Sequence, residues 1–378
     1  MKNILVINSF KKQNKPFLNL FRDLNQEFNF FAWSTDNYFL DKSNNFVLSK
    51  LNKKIYLGPN LDKKINFFFF LLMLPAIYPW RFFDLMFTRS LQSIEKIICL
   101  GVAEKIIFTP LARLMGIKTI WFVVPQENYE KKSGLLIFLL RLFSKKVKII
   151  TFTSFKKDEL ISLGFRKENI NNVSLGIEVG KSSHQDNIFF SLAKAEKSPA
   201  FFKNFTIGTV ANLNDQGQVE NLLRVIKNCL SVVPNLQLVV IGSSSQTKNF
   251  SWLARKMEIE NNVWFVGEQE YLGKWFDNFD VYLALNKEPV LFDLETILEA
   301  MASGLPVLAF FHKNLEDLVI NNKTGFLIEP DVNVLSQKVV ELGQDKRILR
   351  VLRENAKIMV DKYFSRQRQI GEIRKILN

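Results

Sequence analysis

The sequence predicts an α/β protein made of two doubly wound parallel-sheet domains, and three observations lead there. From Met1 to about Glu178, short β-like runs alternate with helical patterns, the order that a parallel sheet with crossover helices produces. The alternation lapses over residues 179–203 and restarts at Phe205. A chain of 378 residues is long for one hydrophobic core and comfortable for two. The expected division is a first domain over 1–180, a linker over 181–203, a second domain over 204–363, and a last helix over 364–378.

In the first half the β-like runs are Ile4–Ile7, Lys54–Leu57, Ile97–Leu100, Thr119–Val124 and Lys148–Thr153. The opening Met-Lys-Asn-Ile-Leu-Val-Ile has a four-residue apolar run, which suits a buried strand and is too short for a secretory h-region. The most apolar segment, Phe67–Trp80, contains Pro75 and Pro79. A spanning helix needs ~20 apolar residues, so this segment reads as a core helix or an interfacial one. A second such segment, Lys131–Lys146, is apolar with basic ends. In the second half the strands are Phe205–Val210, Leu236–Gly242, Val263–Gly267 and Val281–Leu285, with Gly217 before a helix. Then Leu294–Ser303 reads as helix, Gly304 as an αL stop, and Leu305–Phe311 as a buried strand. Thr324–Pro330 follows, and helical patterns over Val334–Leu342, Lys346–Lys362 and Ser365–Leu377 close the chain.

Charge is unequally shared. Residues 1–200 hold 30 Lys and Arg against 16 Asp and Glu, whereas residues 201–378 hold 21 of each, so the whole net charge of +14 lies in the first half. That field suits an anionic membrane surface or a lipid-phosphate acceptor. Basic residues interspersed with long apolar stretches, and no recognition motif, argue against nucleic acid. Cys99 and Cys229 stand far apart in apolar contexts, which excludes a disulfide framework and fits a cytoplasmic chain, peripheral at the inner face of the cell membrane if the apolar segments face lipid. No metal-ligating spacing is present.

The helix-stop-strand segment also carries the chemistry. Glu299 lies about one turn inside a helix whose first N–H groups, expected near Leu294, Glu295, Thr296 and Ile297, favour a phosphate. One element then holds a ribose and a diphosphate. Here the chain resembles the retaining glycosyltransferases of family 4, through Glu299-Ala-Met-Ala-Ser-Gly-Leu-Pro-Val307. Similarity extends over most of 203–364, and in outline to Ile149–Ser154 and Asn172–Glu178. The resemblance implies the GT-B fold, two Rossmann-like domains facing a cleft, with the last helix packing back on the first domain. It implies transfer of a sugar from a nucleoside-diphosphate sugar to a hydroxyl acceptor without metal or cofactor; the basic, apolar-rich first half makes a lipid-linked or membrane-presented acceptor the expected one. Glu299 then holds the ribose, and Gly267 backs the base.

Three departures from the family pattern stand out. Where relatives often carry an Arg and a Lys toward the phosphates, this chain has Asn212 and Gln216. Charge-assisted contacts are about twice as strong as neutral ones, so leaving-group stabilisation is weakened unless another group substitutes. Eight residues before Glu299, where a second carboxylate is usual, stands Leu291; Glu288, Asp293 and Glu295 are the nearby replacements, Asp293 also reading as a plain N-cap. The first domain lacks the Gly-rich turn and the His of relatives. Its polar groups after a buried strand are Gln126, Glu127 and Asn128, the acceptor-side candidates. His312 follows a strand and reads equally as a satisfied loop histidine, and His184 falls in the linker. The departures leave an alternative: a catalytically inactive, nucleotide-binding or scaffolding relative.

Overall fold

The structure, a computed structural model, describes residues 1–10, 15–43, 52–59, 61, 64–178, 204–211, 216–242, 247–269 and 271–378. The expected linker over 181–203, with His184, and the candidate Asn212 lie outside the described residues. Two compact units emerge: Met1–Ser174 with Val290–Phe292 and Arg368–Asn378, and Leu175–Pro289 with Asp293–Gln367.

The first unit runs β1 (Lys2–Asn8), α1 (Lys15–Leu24), β2 (Phe28–Ser34), α2 (Asn37–Ser43), β3 (Lys53–Lys54), α3 (Lys64–Gln92), β4 (Lys96–Cys99), α4 (Val102–Leu114), β5 (Lys118–Val123), α5 (Gly134–Ser144), β6 (Lys148–Thr151), α6 (Ser154–Ser162) and β7 (Ile170–Asn172). All pairings are parallel, in the order β3-β2-β1-β4-β5-β6-β7. Strand order reverses between β1 and β4, the place where open α/β sheets receive ligands beyond the strand ends. Buried on both faces, β1 and β5 read as near-continuous apolar runs. Phe17, Phe21, Phe122 and Phe152 pack as one aromatic cluster, with Phe17 and Phe122 centroids 6.0 Å apart. Side chains cap two helices: Ser133 accepts from Leu136 N–H and Thr153 from Lys156 N–H.

One helix differs from its sequence reading. Instead of a segment confined to Phe67–Trp80, α3 has 29 residues and passes through both prolines. Pro75 and Pro79 are four residues apart and both exposed, so the carbonyls they leave unbonded lie along one outer side and the helix continues. Its inner residues, including Phe67, Phe70, Ile77 and Leu85, join the core. Its outer face is apolar as well: Phe68, Phe69, Leu72, Trp80, Phe83, Phe87 and Leu91 are all more than half exposed. By length and composition the stretch Asn66–Gln92 suffices to cross a membrane. Both α3 and α5 pack against α4, and α5 exposes the stripe Leu135, Phe138 and Leu142.

The second unit contains β8 (Phe205–Val210), α7 (Gln216–Leu230), β9 (Leu236–Ile241), α8 (Thr247–Lys256), β10 (Val263–Gly267), α9 (Gly273–Phe276), β11 (Val281–Ala284), α10 (Leu291–Ala302), β12 (Val307–Phe310), β13 (Gly325–Ile328), α11 (Val332–Gln344) and α12 (Lys346–Tyr363). A final helix, α13 (Arg366–Leu377), starts here, and its residues from Arg368 onward cluster with the first unit. The six strands are parallel in the order β10-β9-β8-β11-β12-β13, reversing between β8 and β11. Two glycines are dictated by contact or conformation. A Cβ on Gly325 would lie 2.0 Å from the Val307 carbonyl oxygen, so the β12–β13 pairing excludes any side chain there. Gly304 has φ +82° and ends α10 in a Schellman pair, with Gly304 N–H on Met301 O and Leu305 N–H on Ala300 O.

Candidate functional site

In the second unit, chemistry concentrates beside the β8/β11 reversal. β11 carries Tyr282, whose ring is buried and whose hydroxyl is pushed well above its ordinary pKa, first by burial and then by the negative charge of Asp293. Glu299 adds to that shift, and the Val210 backbone opposes it. Two carboxylates of α10, Asp293 and Glu299, therefore act on one phenol. Glu299 is half-buried on an otherwise buried stretch of helix. Asp293 Oδ2 accepts from Asn286 Nδ2 at 2.9 Å, tying the first turn of α10 to the loop after β11. Asp293 lies inside α10, two residues past its first, so it is not the N-cap that its sequence context suggests.

The sequence misplaces the helix start. Because α10 begins at Leu291, the N–H groups of Glu295, Thr296 and Ile297 fall inside its ladder, and those outside it belong to the first turn, where the Leu291 N–H is already donated to Gln126 Oε1 at 3.2 Å. The side chains of Leu294, Thr296 and Ile297 are buried. Glu295 is buried too, and its Oε1 lies 3.3 Å from Arg366 Nη2, an ion pair that fastens α10 to the start of α13 and turns this carboxylate away from ligand duty. Gly267 ends β10 with φ +77° and open space where a Cβ would stand; its carbonyl accepts from Gly242 N–H at 2.9 Å. Gln216 is exposed in the first turn of α7 and donates to Glu220 Oε1 at 2.7 Å. Glu288 is exposed, and its N–H donates to Asn286 Oδ1. His312 Nδ1 accepts from Asn314 N–H at 3.1 Å, so this histidine caps a short 3₁₀ turn.

In the first unit the acceptor-side candidates divide. Gln126 and Asn128 are half-buried in the turn after β5, with Asn128 Oδ1 accepting from Lys131 N–H. Glu127 instead is 5% exposed and locked in a charged cluster that sequence reading missed. Lys105 Nζ lies 2.6 Å from Glu127 Oε2 and 3.2 Å from the Tyr129 hydroxyl, and Lys156 Nζ bonds both the Glu127 carbonyl and Glu159 Oε2. Such a cluster fixes loop geometry; removing one partner leaves the other charge buried and unpaired. The signal available in the sequence was Lys105 standing in the largely apolar stretch Val102–Leu114; Lys156, in the polar Ser154–Ser162, gives none.

At the β1/β4 reversal Glu104 lies fully buried in the first turn of α4. Its Oε2 accepts from Ser9 Oγ at 2.9 Å, and burial pushes its pKa up to about 7 against hydrogen bonds from its own backbone, Ser9 and Gly101 and the charge of Lys105. A Cβ on Gly101 would come within 2.5 Å of that carboxyl, so the glycine makes room for it. Among the described residues, no group of three His, Cys, Asp or Glu side chains is placed to hold a metal ion.

Residues 191–359 match the family model described as glycosyl transferases group 1. Over 331 residues, 78% of this chain and 82% of the relative, the chain is 24% identical to the capsular polysaccharide biosynthesis glycosyltransferase CapM of Staphylococcus aureus. It is 25% identical to the amylovoran biosynthesis glycosyltransferase AmsK of Erwinia amylovora over 249 residues, 62% of this chain and 57% of AmsK. Among solved structures, Anabaena HepE in complex with UDP superposes over 100% of this chain and 99% of its own, with a TM-score of 0.74 at 15% identity. A Rickettsia africae glycosyltransferase gives a TM-score of 0.78 at 12% identity, covering 100% of this chain and 98% of that one.

Proposed function

From the premise that this chain is a glycosyltransferase of GT-B fold, we propose that it moves a sugar from a uridine-diphosphate sugar, with retention, onto a membrane-presented polysaccharide or glycolipid precursor. The donor reading is supported by HepE, which binds UDP and UDP-glucose, and the polysaccharide reading by CapM and AmsK. Glu299 accepts hydrogen bonds from the ribose hydroxyls, and the start of α10 faces the diphosphate with its helix dipole. Asp293 takes the place of the missing earlier carboxylate, because it shares Tyr282 with Glu299. Gly267 leaves open space for the base. No metal and no cofactor beyond the donor is required in this reading.

The observation that carries the membrane part is the apolar outer face of α3, on the half of the chain holding all the excess positive charge. An inactive relative is disfavoured by the matches to named transferases. The test incubates the protein with uridine-, guanosine- and adenosine-diphosphate sugars, with and without a membrane lipid extract, and follows nucleoside diphosphate release. UDP release that requires lipid is the expected result. Release with another nucleotide overturns the donor assignment, lipid-independent release overturns the acceptor, and no release with any donor overturns turnover.

A further inference from the structure

At the opposite edge of the first sheet, β1, β4, β5 and β6 each begin on a lysine: Lys2, Lys96, Lys118 and Lys148. These strands are consecutive neighbours; Lys96 and Lys118 are direct register partners, about 4.8 Å apart at their roots, while Lys2 and Lys148 each lie two residues out of register with the lysine on the adjoining strand, so the four cluster along the N-terminal edge. Beside the row is a cleft of about 470 Å³ lined by Lys2, Arg89, Glu95, Lys96, Lys118 and Asn378, among others. Part of the row has a structural task. Lys2 Nζ donates to Asn378 O at 3.1 Å, Lys148 Nζ to Ile376 O at 3.2 Å, and Lys96 Nζ to Leu377 O, so three lysines close the C-terminal end of α13.

That task does not exhaust the charge. A helix C-terminus presents the equivalent of about half a negative charge and the α-carboxylate of Asn378 a full one, against the four positive charges of the row. Glu95 is the one acidic side chain among the residues lining the cleft, while Lys118 enters no ion pair among the described residues. The crowding registers on Lys96, whose pKa is lowered to about 8 by burial and by Lys2, Lys118 and Lys148. Each ammonium has three donors, so those bound to α13 carbonyls still have N–H groups to offer. Arg89, at the end of α3, gives Nη1 to the Met115 carbonyl and brings the rest of its planar fork to the cleft.

We infer that this cleft binds a phosphate-type anion, either free phosphate or pyrophosphate or a lipid headgroup, at a site distinct from the donor site. It lies at the strand N-termini, whereas Ser9 and Glu104 mark the other edge of the same sheet. The inference does not rest on the donor reading. It is tested on the full chain with saturating UDP present, so that any donor site is filled. Pyrophosphate and inorganic phosphate are titrated by calorimetry against sodium chloride of matched ionic strength, for wild type and for Arg89→Glu/Lys118→Glu, both positions being exposed. Lys118→Ala serves if the double variant does not fold. Vesicles of phosphatidic acid in phosphatidylcholine form a second arm. Binding at least tenfold weaker in the variant is expected in one arm or both; loss in solution alone identifies free phosphate, and loss on vesicles alone identifies a headgroup. No binding beyond the chloride control in either arm, or equal binding by wild type and variant, overturns the site.

Discussion

Glu299 is the residue whose role the sequence states most openly, because helix formers, an αL glycine and a proline around it fix both its element and that element's end. Asp293 is less legible: its charge and that of Glu299 both bear on Tyr282, which belongs to another strand and leaves no local pattern. The counter-ion of Glu295 is illegible for the same reason, Arg366 lying 71 residues away. Glu299→Ala is expected to fold normally, since the side chain is half-buried rather than core. A lost hydrogen bond to a charged group costs about 1.5–3 kcal/mol, so donor kcat/KM should fall roughly 10- to 150-fold. Steady-state kinetics on a UDP-sugar checks this, and unchanged kinetics would remove Glu299 from the site. Glu104 supports a second prediction. Its folded pKa, about 7, is above the ordinary 4.5, so between those values the folded state holds a proton that the unfolded state has released. Its contribution is complete below about pH 4.5 and is lost as pH rises through 7, on the order of 3 kcal/mol in all. Glu104→Gln should flatten this part of the stability–pH curve, measured by urea unfolding between pH 5 and 8; an unchanged slope would mean that the carboxyl is ionised throughout.

Among elements, strands with branched aliphatic runs were legible and others were not. Phe28–Ser34 escapes because its aromatic and polar residues imitate a helix face, yet all but one of its residues are buried between β1 and β3. Ile170–Asn172 escapes because three residues set no period. With α3 the composition was clear and the length was not, since the two prolines marked a break that an outward-facing position renders tolerable. Its apolar outer face also decides how it can be tested. Phe83 and Phe87 are 61% and 66% exposed, so Phe83→Glu with Phe87→Glu should change stability by about 0.5 kcal/mol or less per site. Flotation with anionic vesicles should fall sharply in the same variant. If flotation is retained, this face is not what meets lipid, and the acceptor reading loses its physical support.

At the scale of the whole chain, two sheets of the same construction lie in halves of unequal charge, a net +14 in residues 1–200 and none in residues 201–378. Doubly wound architecture was readable twice over from alternation, whereas the lysine row along one sheet edge emerges only once strand order is known, because its members are scattered from Lys2 to Lys148. Charge and apolar surface make separable demands on membrane attachment. Screening shortens electrostatic reach from about 10 Å at 0.1 M salt to about 3 Å at 1 M, while burial of aromatic side chains in an interface persists. Wild-type protein should therefore bind anionic vesicles strongly at 0.1 M salt and keep a substantial fraction bound at 1 M. The Phe83→Glu/Phe87→Glu variant should keep only a salt-sensitive remainder, absent at 1 M. Co-sedimentation of both proteins across that range separates the two contributions: complete release of wild type at 1 M would assign attachment to charge alone and leave the outer face of α3 to some other partner.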